Sequence, residues 1–272
     1  MDKFWKKFGV AFLFVAIIIQ LTPFYITLTT SVKAKIDLSS RWRIPSSIYW
    51  ENFKVAIERG LILNAIKNSL IVTSVSVLFI CIVGALAAYP LARNKSKLNM
   101  IILMITVVVM MVPPLSILVP LYAMMNKIGG VNEYWGLILL MITLQLPLSI
   151  FLYRNFITTV PVELEEAARI DGANNIQIFF KIIMPLLKPV TTSVIIITGT
   201  FIWNEYVLSL YMLPSRSMRT LTPTIASFFT AHSTNMGAAS AASLMGMVPI
   251  VILYLFLQKY FIKGAVEGAI KG

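Results

Sequence analysis

The chain has 272 residues, 58% of them Ala, Val, Ile, Leu, Met, Phe, Trp, Tyr or Cys and only 12% charged, where a soluble domain carries roughly 25% charged residues. That composition excludes an ordinary water-soluble fold. The formal charge of +12 arises from 23 Lys and Arg against 11 acids; the cations are scattered between apolar runs, which marks them as membrane-flanking charges and argues against nucleic acid as a partner.

Stretches free of Asp, Glu, Lys and Arg cover 8–32, 68–92, 98–126, 134–153, 189–204 and 220–258. All but the fifth approach or exceed the roughly 20 residues a helix needs to cross about 30 Å of hydrocarbon. They predict an all-α polytopic membrane protein in lipid: one domain, 1–272, with six transmembrane helices near 8–30, 68–91, 99–123, 134–154, 190–211 and 239–258. The alternation of a β-barrel is absent, and open strands would leave unpaired backbone in lipid.

In chain order, Lys3, Lys6 and Lys7 precede the first run, and Val32-Lys33-Ala34 offers small residues at a cleavage-like spacing. The run is too long for the apolar segment of a secretory signal, so it is expected to remain as a span. Residues 31–67, with Trp42, Tyr49 and Trp50, read as a folded surface lobe with interfacial anchors. Pro113, Pro114 and Pro120 in the third run predict a kinked or broken helix, either accommodated by its neighbours or used as a gate.

Six spans put both termini on one side. The segments on that side hold 13 Lys and Arg against 10 on the other, a small excess, but short loops weigh most in setting orientation. The tight turn Arg93-Asn94-Lys95-Ser96-Lys97 therefore places itself, both termini and the loop 155–189 in the cytoplasm.

That loop carries the most information. Thr158 or Thr159 can cap a helix with Pro161 in its first turn, and Glu163, Glu165 and Glu166 suit its positive end. Gly172 supplies a left-handed stop. Asn174 or Asn175 can then cap a second helix through Ile176, Phe179, Phe180 and Ile183 as far as Pro185. The small pair Ala167 and Ala168 would allow close approach by another backbone, so the loop reads as a socket for a partner. Its acidic character disfavours an anionic lipid surface.

Glu166-Ala167-Ala168, then Asp171-Gly172-Ala173, then Phe179, Ile182, Pro185 and Pro189 resemble the EAA loop of ABC importer permeases. Asn68-Ser69-Leu70, Ala87-Ala88-Tyr89 with Arg93, Trp203-Asn204-Glu205 and the tail from Gln258-Lys259-Tyr260-Phe261 to Gly272 extend the resemblance to the second permease of maltose-type, carbohydrate-importing systems. It covers roughly Trp50 to Gly272, with Leu221-Thr222-Pro223-Thr224 departing from the pattern. The resemblance implies a type I ABC importer permease fold in a prokaryotic inner membrane. It also implies two copies of an ATPase subunit docked at Glu166, Ala167, Ala168, Asp171, Gly172 and Ala173, a second homologous permease, and an extracytoplasmic sugar-binding protein. No Gly-Lys pair occurs, hence no P-loop, so ATP and magnesium are expected on the ATPase subunit and no cofactor on this chain.

Trp203, Asn204 and Glu205 are candidates for the translocation pathway or its gating. Glu205 is the one acid inside a predicted span, where a bare charge costs at least about 2.5–3.5 kcal/mol, so it must face protein or water. Either a brace between helices or a sugar contact satisfies that. The lone His232 and lone Cys81 offer no metal cluster or disulfide, and the 14 Met read as packing. An ion-coupled carrier or channel usually needs several buried carboxylates or histidines, and an intramembrane enzyme needs a nucleophile with a base. This chain offers one buried acid and no such pair.

Overall fold

Lipid offers no hydrogen-bond partners to the backbone, and the computed structural model meets that constraint with helices alone. It describes residues 3–37, 39–229 and 235–270, with only backbone described at 3, 4, 6 and 259–270; no β-strand occurs among the described residues, and His232 lies outside them. The helices are α1 (Lys3–Ser31), α2 (Glu51–Glu58), α3 (Ile62–Arg93), α4 (Lys97–Met110), α5 (Leu118–Lys127), α6 (Tyr134–Ile157) and α7 (Glu163–Ile170). They continue as α8 (Asn175–Ile178), α9 (Met184–Leu186), α10 (Lys188–Asn204), α11 (Val207–Met212), α12 (Leu221–Ala226) and α13 (Met236–Ile270).

Four helices, α1, α3, α6 and α13, are individually long and apolar enough to span a membrane, and the count reaches the six expected when each of two bent pairs is taken as one span. In the first pair α4 and α5 meet at 91°. The break expected from the prolines lies here: Pro113 withholds an N–H, and Pro114 opens a 3₁₀ turn, Pro114–Ile117. Pro120 sits in the first turn of α5, where its missing N–H leaves nothing unsatisfied. In the second pair the segment 175–186 meets α10 at 71°.

The fifth span differs from its predicted range, 190–211. α10 stops at Asn204, Glu205 adopts an extended backbone (φ −65°, ψ 128°), and α11 is a separate short helix. The cause is the Glu205 side chain, whose bonds to the following backbone are described below.

The chain folds as two compact units. One comprises residues 1–65 with 223–248. Here the predicted lobe after α1 is knitted by two buried polar side chains. Lys33 donates to Ser39 Oγ (2.8 Å) and the Ser40 carbonyl (2.6 Å), and Asn52 Nδ2 donates to the carbonyls of Ser31 (2.9 Å) and Lys33 (2.7 Å). Trp42 and Trp50 stay exposed.

The other unit comprises residues 66–222 with 249–272. Its core runs from Val72, Ile80 and Ala88 on α3 through Leu137, Met141, Tyr153 and Ile157 on α6 to Ile183, Val194, Ile202 and Met212. α6 packs on α4, α10 and α11. Gly84 lets α3 approach α6 closely: a Cβ there would overlap the Ser149 hydroxyl, which itself donates to the Ile80 carbonyl at 3.1 Å. Close crossings at small residues suit helices in lipid, where packing replaces the hydrophobic drive.

Candidate functional site: a projecting helical loop

The turn predicted at Gly172 forms as expected. Gly172 has φ +85°, and the Ala173 N–H reaches back to the Ala168 carbonyl at 2.9 Å, which closes α7 through a left-handed residue. Asn174 then begins α8 with a capping box, its Oδ1 accepting from Gln177 N and Gln177 Oε1 accepting from Asn174 N, both at 2.9 Å.

Two local expectations change. Thr158 and Thr159 do not cap α7; their hydroxyls donate to the carbonyls of Asn155 (2.7 Å) and Phe156 (2.8 Å) and so finish α6. α7 starts without a side-chain cap and relies on its acidic first turn. Pro185 does not stop the second helix. It has no N–H for the preceding turn, and the ladder slips by one residue into a π-helical stretch, Phe179–Ile183, in which Met184 N–H bonds to Phe179 O. The chain bends two residues later, at Leu187.

The faces of α7 divide the candidate docking residues. Glu166, Ala167, Asp171 and Gly172 are exposed, Ala173 is half-buried, and Ala168 is buried against the core. Of the small pair, only Ala167 is open to a partner.

Glu165 is 1% exposed and faces inward, unlike its neighbours Glu163 and Glu166, with which its place in the sequence groups it. Arg93 Nε donates to its Oε1 at 2.6 Å and the Tyr89 hydroxyl to its Oε2 at 2.7 Å, while Arg93 Nη2 donates to the Val160 carbonyl at 2.9 Å. Arg169 Nη2 lies 4.0 Å from Oε2. The Tyr89 ring packs on Phe179 with centroids 5.4 Å apart. Spacing contained the signal: Tyr89 and Arg93 are four apart on α3, and Glu165 and Ala168 are three apart on α7, so each pair lies on one helix face.

Trp203, Asn204 and Glu205 lie at the end of α10 remote from Leu187. Trp203 is buried, and Asn204 is exposed with its Nδ2 donating to the Thr200 carbonyl at 2.8 Å. Both Glu205 carboxylate oxygens are occupied, Oε1 accepting from Leu208 N and Oε2 from Ser209 N, each at 2.7 Å. Its carbonyl accepts from the Thr222 hydroxyl. The carboxylate thus starts α11 and terminates α10. An open groove of about 630 Å³ runs along this stretch of α10, lined by Ile196, Ile197, Thr200, Phe201, Asn204 and Glu205.

Asn68 and Ser69, at the other end of α3 from Arg93, hold the segment between α11 and α12. Asn68 Nδ2 donates to the carbonyls of Ser217 and Arg219, both at 2.9 Å, and Asn68 Oδ1 accepts from the Tyr134 hydroxyl at 2.8 Å. Ser69 Oγ accepts from Leu221 N at 2.8 Å. No group of His, Cys, Asp and Glu suited to a metal occurs among the described residues.

Apolar helices enough for up to six spans, with an exposed helix-turn-helix braced from behind, make this a polytopic helical membrane protein with one projecting loop. The chain belongs to the family of binding-protein-dependent transport system inner membrane components, whose model matches residues 80–266. It is 47% identical to the melibiose/raffinose/stachyose import permease protein MelC of Bacillus subtilis over 92% of this chain and 91% of that one. It is 34% identical to the multiple sugar-binding transport system permease protein MsmG of Streptococcus mutans over 100% and 98%. Its fold is that of a subunit of a bacterial ABC transporter that imports the acidic polysaccharide alginate, with a TM-score of 0.81 at 20% identity over 96% of this chain and 99% of that one. The chain is an ABC importer permease, and the EAA loop expected from its sequence is the α7 segment.

Proposed function

We propose that residues 1–272 act as one permease domain in an importer of sugars or oligosaccharides, with both termini and the loop 155–189 in the cytoplasm. Identity to the two sugar permeases over nearly the whole chain supports the substrate class. An ATPase dimer, carrying the ATP and magnesium, docks on α7 through Glu166, Ala167, Asp171 and Gly172, with Ala168 and Ala173 holding the helix from beneath. A second permease completes the pathway, and a sugar-binding protein delivers substrate on the outer side. Trp203, Asn204 and Glu205 shape the pathway wall, with Glu205 setting the end of α10.

The observation that carries the docking assignment is the outward presentation of α7 between a left-handed turn and a buried anchor. Gly172→Val tests it. A β-branched residue must adopt the left-handed conformation at a cost of roughly 1–2 kcal/mol or shift α7. The expected variant is inserted at near-normal abundance but loses sugar-stimulated ATP hydrolysis and retains ATPase subunits poorly on purification. Normal uptake with a tightly bound ATPase would refute the docking site. Cysteines at Ser96 and Thr159 are expected to label only from the cytoplasm, and at Ser47 and Ser215 only from outside. Cytoplasmic labelling of Ser47 would reverse the topology.

A further inference from the structure

Three pieces of the α7 loop converge on the last turn of α3. Glu165 of α7 accepts from Arg93 and Tyr89, the Val160 carbonyl before α7 accepts from Arg93, and Phe179 after the turn packs on the Tyr89 ring. The covalent routes out of α7 are less stiff. One side leads through the non-helical residues 158–162, and the other passes a left-handed glycine, a π-helical stretch and the bend at Leu187. The ionic contact is shielded from water because Glu165 is 1% exposed, and salt screens a buried pair little.

We propose that Glu165, Arg93 and Tyr89 form a strut that makes α7 and the Arg93 end of α3 move as one body, so that α3 receives any displacement of α7 directly. Glu165 is then a positioning residue, distinct from the outward Glu163 and Glu166. The two sides of α7 divide the work, the outer side meeting a partner and the inner side passing its movement to a spanning helix. The consequence for transport rests on the reading of α7 as the ATPase socket; the rigidity of the pair does not.

The test places spin labels at Asn94 and Glu163, both exposed and outside the strut, in the complete transporter in lipid vesicles and in this chain alone. In the complete transporter the separation is expected to stay constant between the nucleotide-free and ATP-trapped states. Glu165→Gln, and more mildly Tyr89→Phe, are expected to broaden the distance distribution in both preparations. They are also expected to lose sugar transported per ATP hydrolysed while the ATPase stays bound, a split that a folding defect would not produce. A wild-type separation that changes by more than about 2 Å between states, the scale of a helix shift in switching proteins, would overturn the strut. So would an unbroadened Glu165→Gln distribution with full transport per ATP. If no ATPase binds the wild-type chain, the docking reading fails, while the distances in the chain alone still decide the strut.

Discussion

At its Arg93 end α3 grips a loop with an ion pair closed off from solvent, whereas at its Asn68 end it grips another with neutral amide and hydroxyl groups. Both grips join the spanning helix to a segment distant in the sequence. The neutral grip satisfies backbone carbonyls and an N–H that would otherwise be stranded, so it fixes a shape. The charged grip holds a group that is costly to bury alone, so it stays closed as long as both partners are present. A loop that must keep its outline is served by the first kind of contact. A loop that must carry load is served by the second.

The largest expected effect separates the two ends. Arg93→Ala leaves the Glu165 carboxylate buried with the Tyr89 hydroxyl and a distant Arg169, and removal of one partner from a buried pair costs about 3–5 kcal/mol. Replacement of both partners by apolar residues, Arg93→Met with Glu165→Leu, is expected to recover most of that loss because no charge remains stranded. Unfolding of the purified variants in mixed micelles measures both. A double variant as unstable as Arg93→Ala would show that packing, not charge, holds this end.

Asn68→Asp comes next, and it probes the neutral end. The isosteric carboxylate cannot donate to the carbonyls of Ser217 and Arg219, and it would be negative where two carbonyl oxygens point. Stranded buried acceptors cost about 1–3 kcal/mol each way they are counted, so stability falls and protease access to the segment 213–220 rises. The same protease assay on Arg93→Ala is expected to leave that segment protected and to open the α7 loop instead.

Glu205→Gln follows. Both oxygens accept backbone N–H groups, and an amide offers only one acceptor while turning its own N–H₂ toward the second donor. A loss of about 1–2 kcal/mol is expected, close to that of Glu205→Ala, with α11 frayed in hydrogen exchange. A Gln variant as stable as the wild type would mean that one bond suffices to start α11, and that the second oxygen is free for another role.

Much of this was legible in the sequence for physical reasons. Hydrophobic length located the spans, the prolines of the third run located a break, and Gly172 with Asn174 located the turn of the loop, because each depends on local backbone chemistry. The inward face of Glu165 was not legible, since three acids at the start of a helix look alike until Arg93, from a different helix, arrives beside one of them. Pro185 does not act as the stop that the sequence predicts because a π-helical slip absorbs it without ending the helix. The charge-free run 189–204 ends where α10 ends; the predicted span to 211, needed to reach a membrane-crossing length, overruns it and takes in Glu205, whose side chain captures the next turn.

The smallest expected difference is between one hydroxyl at each end. Ser69→Ala removes an acceptor and strands the Leu221 N–H, where Leu221 is 3% exposed, while Tyr89→Phe removes a donor from a carboxylate that keeps Arg93. A buried donor without a partner bears its whole desolvation cost, about 1–3 kcal/mol, whereas one lost bond among several costs about 0.5–1.5 kcal/mol. Ser69→Ala is therefore expected to be the more destabilising, although Tyr89 is the larger side chain and sits in the charged cluster. Phe preserves the ring packing on Phe179, so the difference reports the hydroxyls alone. Unfolding both variants side by side decides it. If Tyr89→Phe costs more, the Tyr89 hydroxyl is an essential member of the charged grip, and Arg93 alone does not hold the carboxylate.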